Sequence, residues 1–318
     1  MNDATKRIAI LDDYQGVALT SADWSPLRGR ADVTVFRDHL ADREALARRL
    51  APFDAICVMR ERTPVDAALL AALPRLRLIA STGGSNASID EEAAAARGVE
   101  VVHTHYSSTP TIEFTWAAIL GLVRGIATEA ASVRAGGWQV GLGTELRGKT
   151  LGIVGLGRIG SRVARIAQAF GMHVIAWSQN LTDDDAAAAG ATRVPKDALF
   201  ARSDVLTIHT RLSDRTRGLV GADQLAAMKP SAFLVNSSRG PIVDEAALID
   251  ALRERRIAGA AVDVFAEEPL PPDHPFRTLP NVLATPHIGY VTEEMYRTFH
   301  GDTVANLVAW LDRVAAAR

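Results

Sequence analysis

The stretch Thr150-Leu-Gly-Ile-Val-Gly-Leu-Gly-Arg-Ile-Gly160 decides the reading of the fold. An apolar, β-branched run leads straight into Gly155, Gly157 and Gly160, spaced as G-x-G-x-x-G. The three glycines serve different ends, giving a tight turn, room for a pyrophosphate against bare backbone, and close packing of helix on strand. The unpaired N–H groups and positive end of the following helix favour an anion there. A helix is predicted over Arg158–Phe170, stopping at Gly171, and His173–Ser178 reads as the next strand. The predicted dinucleotide site therefore takes in Gly155, Gly157, Arg158, Ile159 and Gly160. It begins near the middle of the chain, so a different unit is expected before it.

The bulk composition narrows the classes. The chain has 318 residues, enough for about two domains with their own cores. Lysine and arginine number 35 against 37 acidic residues, a net charge of −2, and no basic run marks a nucleic-acid or membrane surface. The sole cysteine, Cys57, lies in the apolar run Ala55-Ile-Cys-Val-Met59 and reads as a small core residue, with no metal-ligand pattern around it. The N-terminus enters a strand at once, without an apolar leader, and no apolar span is long enough for a membrane. A cytoplasmic protein with no membrane or nucleic-acid partner is expected.

Further strands are predicted at Ile8–Leu11, Val33–Phe36, Ala55–Met59, Leu76–Ala80 and Glu100–His103 in the first part. In the second they fall at Val205–His209, Ala232–Asn236, Ala258–Phe265 and Val282–Thr285. Helix signals lie between them: Thr63-Pro64-Val65-Asp66 as cap and first turn, Ser88-Ile89-Asp90-Glu91 as a capping box, and a longer apolar helix at Thr111–Arg124. Repeated strand–helix units predict an α/β architecture of two doubly wound parallel-sheet domains. Residues 105–286 form the expected Rossmann cofactor domain. A discontinuous flavodoxin-like substrate domain is expected at 1–104 and 287–318, closed by a terminal helix of about Thr292 to Ala316.

In open parallel sheets ligands bind beyond the carboxyl ends of the strands. Reading past those ends gives Ser237-Ser238-Arg239-Gly240-Pro241, then Ala266-Glu267-Glu268-Pro269, then Pro286-His287-Ile288-Gly289. An arginine, a glutamate and a histidine thus emerge on one edge. Asp263 is expected inside an apolar strand, where an unpaired carboxylate is costly.

With these motifs the chain resembles the D-isomer-specific 2-hydroxyacid dehydrogenases. The matching runs are Gly155–Gly160, Val235–Asp244, Gly259–Phe265, Glu268-Pro269-Leu270-Pro271 and Thr285–Gly289, in the family's order. The resemblance implies hydride transfer between NAD(P)H and a small 2-keto acid, of the glyoxylate, hydroxypyruvate or pyruvate class. In this reading Arg239 holds the keto acid with a planar, permanently charged fork. His287 is the proton donor, and Glu268 orients its imidazole and favours the charged form. His209 and Asp263 join the cofactor site. Gly83, Gly84 and Ser85, in Ser81-Thr82-Gly83-Gly84-Ser85-Asn86, present backbone N–H groups to the substrate carboxylate.

Three departures from the family pattern stand out. Ala87-Ser88-Ile89 separates Asn86 from Asp90, one residue more than in some relatives. Where NAD-specific relatives carry an acid, about 20 residues past the fingerprint, this chain has Ser178-Gln179-Asn180, which leans toward NADP without excluding NAD. Arg211 stands where relatives commonly have proline, and nothing explains it. The apolar helix Thr111–Arg124 and the segment around Trp138 carry more apolar surface than a connector needs, so a homodimer is expected. A nicotinamide-dependent binding protein on the same scaffold and a phosphite-oxidising relative keep similar side chains and stay open. At 318 residues, the regulatory domain of many phosphoglycerate dehydrogenases is not expected.

Overall fold

Short apolar runs recur through the chain, and in the computed structural model, which describes residues 5–317, they form two separate parallel sheets. Two units result: Met1–Ser107 with Val291–Arg318, and Ser108–Tyr290. Met1–Ala4 of the expected N-terminal approach lie outside the described residues.

The first unit holds β1 (Lys6–Ile10), β2 (Ala31–Val35), β3 (Ala55–Val58), β4 (Leu78–Ser81) and β5 (Glu100–His103). Their order is β2-β1-β3-β4-β5, with every pairing parallel. Parallel strands covered on both faces need continuous apolar sequence, and β3 and β4 are buried at every position. One face packs Ile56, Val58 and Ile79 under Leu69, Leu70 and Leu73. On the other, Ile8, Ile10, Cys57 and Leu78 lie under Leu307, Trp310 and Leu311 of the terminal helix Glu293–Ala316. Thr292 caps that helix by accepting the Met295 N–H. Burial pushes the Cys57 thiol up to about 12, as suits a core residue.

Helices α1 (Arg43–Leu50), α2 (Ala67–Ala71) and α3 (Glu91–Ala96) begin at aspartates whose carboxylates accept N–H groups of the first turn: Asp42 from Ala45, Asp66 from Leu69, Asp90 from Ala93. Two starts thus differ from the sequence reading, which gave Thr63 and Ser88 as caps. A parallel bridge between Val65 and Ile89 keeps both segments extended, so each helix begins only after the aspartate that follows the bridge. Thr63 instead donates its hydroxyl to Asp12 Oδ2 at 2.5 Å, and the Ser88 N–H goes to Asn86 Oδ1.

In the second unit, α4 (Thr109–Val123) and α5 (Ile126–Arg134) precede β6 (Thr150–Val154), α6 (Arg158–Ala169) and β7 (His173–Trp177). There follow α7 (Asp183–Ala188), β8 (Thr192–Arg193), α8 (Lys196–Arg202), β9 (Val205–Ile208), α9 (Ala222–Ala227), β10 (Phe233–Asn236), α10 (Glu245–Arg253), β11 (Gly259–Val262) and β12 (Val282–Ala284). The parallel sheet runs β12-β11-β10-β9-β6-β7-β8. Its order reverses between β6 and β9, the topological switch point at which such sheets take ligands. No single described helix is long and apolar enough to cross a membrane.

Two sequence expectations change here. The apolar face of α4 is not spare surface: Ile112, Trp116, Ile119 and Val123 are buried in this unit's own core, with Trp116 stacked on Phe170 at 4.8 Å. The exposed apolar side chains lie just beyond, at Ile126, Val133, Trp138, Val140 and Leu142. Asp263 does not lie within β11 but one residue past it, because β12 pairs only with Ala260–Val262. The second unit runs from Ser108 to Tyr290. His287 therefore belongs to the second unit, held there by Asp263 and Glu268.

Candidate active site

Each fingerprint glycine answers to a different neighbour. Gly155 has φ +95°, and a Cβ there would lie 2.7 Å from the His209 carbonyl oxygen, so β6 and the end of β9 meet through bare backbone. A Cβ at Gly160 would lie 2.3 Å from the Gly155 carbonyl oxygen, which sets the close seating of α6 on the strand. At Gly157, the residue before α6, a Cβ would meet nothing within 4 Å. That bare backbone, opening onto the first N–H groups of a twelve-residue helix, is a cradle that fits a dinucleotide pyrophosphate.

Ser178 follows β7 and turns its Oγ back to accept the Leu156 N–H at 3.0 Å. Ser178 thus braces the loop between Gly155 and Gly157. Gln179 and Asn180 follow it in a turn. His209 directly follows β9 beside Gly155; its Nε2 is 3.0 Å from Thr207 Oγ1, and burial pushes its imidazole down to about 4.

Asn236, the last residue of β10, shapes the turn that carries Arg239: its amide donates to the Arg239 carbonyl at 3.0 Å and its Oδ1 accepts the Ser238 N–H at 3.1 Å. The Ser238 hydroxyl donates to the Thr210 carbonyl. Gly240 then packs on the chain past β11, where a Cβ would lie 2.1 Å from Phe265 backbone atoms. Arg239 donates to the Ser238 carbonyl at 2.6 Å, and its charge acts on Glu268.

His287 has φ +53° in the turn after β12 and sits edge-on to Tyr290, ring centroids 5.6 Å apart. Its Nδ1 is 2.7 Å from Glu268 Oε2, while Glu268 Oε1 accepts the Phe265 N–H at 2.9 Å. Burial alone would raise the Glu268 carboxyl. The His287 hydrogen bond and charge, the Phe265 N–H and the Arg239 charge outweigh it and hold the carboxyl below its ordinary value. An ionised Glu268 is acceptor-only, so Nδ1 carries the proton it receives and Nε2 is the nitrogen left for a ligand. Asp263 fixes the same turn, accepting from Thr285 Oγ1 at 2.7 Å and from the Ile288 and Gly289 N–H groups at 2.8 Å each. Burial drives its carboxyl above the ordinary value, against the pull of those donors and of His287.

The remaining predicted residues lie in the first unit, beyond β4. Gly83 has φ +90° and gives its N–H to Thr104 Oγ1 at 2.7 Å, so of the three only Gly84 and Ser85 keep N–H groups without such a bond. Sequence reasoning passed over Arg60, which reaches the Thr82 and Ser85 carbonyls at 3.2 and 3.4 Å. Its guanidinium packs so closely on Gly83 that a Cβ there would overlap it. The signal was the charged run Arg60-Glu61-Arg62 directly past an apolar strand.

Residues 116–289 match the family model described as D-isomer specific 2-hydroxyacid dehydrogenase, NAD binding domain. The chain is 44% identical over 256 residues to a glyoxylate reductase of Aeropyrum pernix, covering 77% of this chain and 76% of that one. It is 40% identical over 255 residues to a D-3-phosphoglycerate dehydrogenase of Archaeoglobus fulgidus, covering 79% of this chain but only 48% of the relative. The solved structure of a phosphoglycerate oxidoreductase from Vibrio cholerae superposes with a TM-score of 0.91 at 40% identity, covering 97% of this chain and 100% of that one. The chain belongs to the D-isomer-specific 2-hydroxyacid dehydrogenase family and is an NAD-dependent oxidoreductase of that type.

The Asp263 node yields a test. Asp263→Asn turns one acceptor into an N–H₂ group facing backbone donors, and should cost on the order of 1–3 kcal/mol. Denaturant unfolding of wild type and variant measures it; equal midpoints would mean that the turn carrying His287 is held by other contacts.

Proposed function

We propose that this chain reduces small 2-keto acids of the glyoxylate, hydroxypyruvate or pyruvate class to their D-2-hydroxy acids. The observation that carries the reading is the 2.7 Å pairing of His287 Nδ1 with Glu268, beside the Arg239 charge, beyond the strand ends of the fingerprint-bearing unit. The relative named glyoxylate reductase matches over most of both chains, which supports the substrate class. A dinucleotide whose pyrophosphate is held at the Gly157 cradle would supply the hydride from its nicotinamide.

The chain's own residues handle the rest. Arg239 binds the carboxylate and polarises the carbonyl oxygen through a planar fork. His287 delivers its Nε2 proton to that oxygen, and the Glu268 carboxylate keeps the ring oriented and the imidazolium favoured. Because its carboxyl is held below the ordinary value, Glu268 stays ionised until pH falls through that lowered range, so the pair persists at neutral pH.

Reduction needs a protonated donor, so its kcat/KM should fall as pH rises past neutrality. Oxidation needs the neutral ring and should rise over the same range. Glu268→Gln should move both limbs to lower pH, His287→Ala should lower kcat by roughly 10²–10⁴, and Arg239→Lys should act chiefly on keto-acid KM. Steady-state profiles for a panel of keto acids decide it. Near-wild-type turnover in His287→Ala would assign the proton to another group.

The turn after β7 starts with Ser178 where a carboxylate would exclude a 2′-phosphate, which supports acceptance of NADPH alongside NADH, with a modest lean to NADPH. Ser178→Asp can still accept the Leu156 N–H while repelling a 2′-phosphate, and should favour NADH by on the order of 1–3 kcal/mol. The ratio of kcat/KM for the two cofactors measures this, and an unchanged ratio locates ribose recognition elsewhere.

The run of exposed apolar side chains at Ile126, Val133, Trp138, Val140 and Leu142 supports a homodimer. Glu129 folds the segment against α5 by accepting the Val140 and Gly141 N–H groups. Light scattering at micromolar concentration should return the dimer mass; a monomer mass, unaltered by Trp138→Glu, would leave this face without a partner.

A further inference from the structure

Glu245 opens α10 but does not cap it; the cap is Asp244, whose carboxylate accepts the Ala247 N–H. The Glu245 carboxylate reaches instead to the chain beyond β11. Its Oε2 accepts the Ala266 N–H at 3.0 Å, and its Oε1 lies 3.2 Å from His274 Nε2. His274 Nδ1 accepts the Phe276 N–H at 3.2 Å, so the ring proton sits on Nε2 and donates to Glu245. Both side chains are largely buried, at 14% and 23% exposure for His274 and Glu245.

These bonds enclose Glu268. Ala266 follows Phe265, whose own N–H is given to Glu268 Oε1. On the far side, Arg277 donates to the Leu270 and Pro271 carbonyls at 2.5 and 2.7 Å. The stretch Ala266–Pro271 has no regular secondary structure, so its shape depends on such ties. Glu245 also lies only six residues past Arg239. The short segment that starts with Arg239 therefore grips the Glu268 segment at two points, through the Gly240 backbone on Phe265 and through the Glu245 carboxylate on Ala266.

The geometry points to Glu245, with His274, as a positioning residue of the active site: it sets the Glu268 turn so that the carboxylate meets His287 Nδ1, in register with Arg239. This rests on the reading of Glu268 and His287 as the pair that handles the proton. Glu245 touches neither reacting atoms nor His287; it acts through the backbone on which Glu268 is mounted. Among the described residues, Asp263 and Arg239 carry charge that acts on the His287–Glu268 pair, and neither is altered by changing Glu245.

The test compares wild type with Glu245→Ala, Glu245→Gln, His274→Ala, His274→Gln and Glu268→Gln. It follows kcat/KM for keto-acid reduction against pH, the KM for the nicotinamide cofactor, and denaturant stability. Glu245→Ala should lower kcat/KM by roughly ten-fold, as for a misplaced catalytic group, and move the alkaline limb to lower pH, the direction of Glu268→Gln. Cofactor KM should hold. Glu245→Gln keeps an acceptor for Ala266 and should fall between wild type and alanine. His274→Gln, whose amide N–H stands near the place of Nε2–H, should retain more activity than His274→Ala.

A limb that stays in place in Glu245→Ala while Glu268→Gln moves it would overturn the positioning role, and any activity lost would then be structural. If neither variant moves the limb, the Glu268–His287 reading itself fails. Should Glu245→Ala not fold, the same comparison between Glu245→Gln and Glu268→Gln decides: an unmoved limb in the former overturns the inference.

Discussion

The close approach of bare backbone at Gly155 is the constraint from which the site follows. A strand that turns at φ +95° against the His209 carbonyl brings the ends of β6 and β9 together at the point where the sheet order reverses. Any side chain there would push the two ends apart. Gly160 repeats the device between helix and strand, and Gly240 repeats it between the Arg239 turn and Phe265. The second unit's functional edge is thus assembled by backbone contact first. The charged groups are mounted on it afterwards.

Those groups form a graded set of carboxylates. Glu268 faces an imidazole and an arginine, and these overcome its burial. Asp263 is more deeply enclosed and receives its hydrogen bonds from neutral donors, and burial prevails. Two acids within one short stretch of sequence therefore differ in role because of what faces them, one coupled to the histidine's charge and the other holding the histidine's turn.

Much of this was legible in the chain. The glycine spacing, the strand-helix alternation and the residues past each strand end point to the fold and to Arg239, Glu268 and His287, because these signals are local. What escaped was tertiary. The bridge between Val65 and Ile89 delays two helices past the residues that look like their caps, and no window of sequence contains both. The apolar composition of α4 does not tell which surface covers it, and the covering proves to be its own sheet. Asp263 reads as a strand residue until the short reach of β12 is known. The ties of Glu245 to Ala266 and His274 join positions 21 and 29 residues apart, with no periodicity to announce them.

His209 brings one more consequence. A half-buried imidazole at the switch point, its charged form pushed down to about 4, is neutral and keeps a single ring N–H at any pH where the enzyme would ordinarily be assayed. The rim of the dinucleotide cradle on that side is therefore electrically constant across neutrality. Cofactor affinity gains no titration from that imidazole, and a histidine-like inflection in turnover has one fewer source among the residues lining this edge of the sheet.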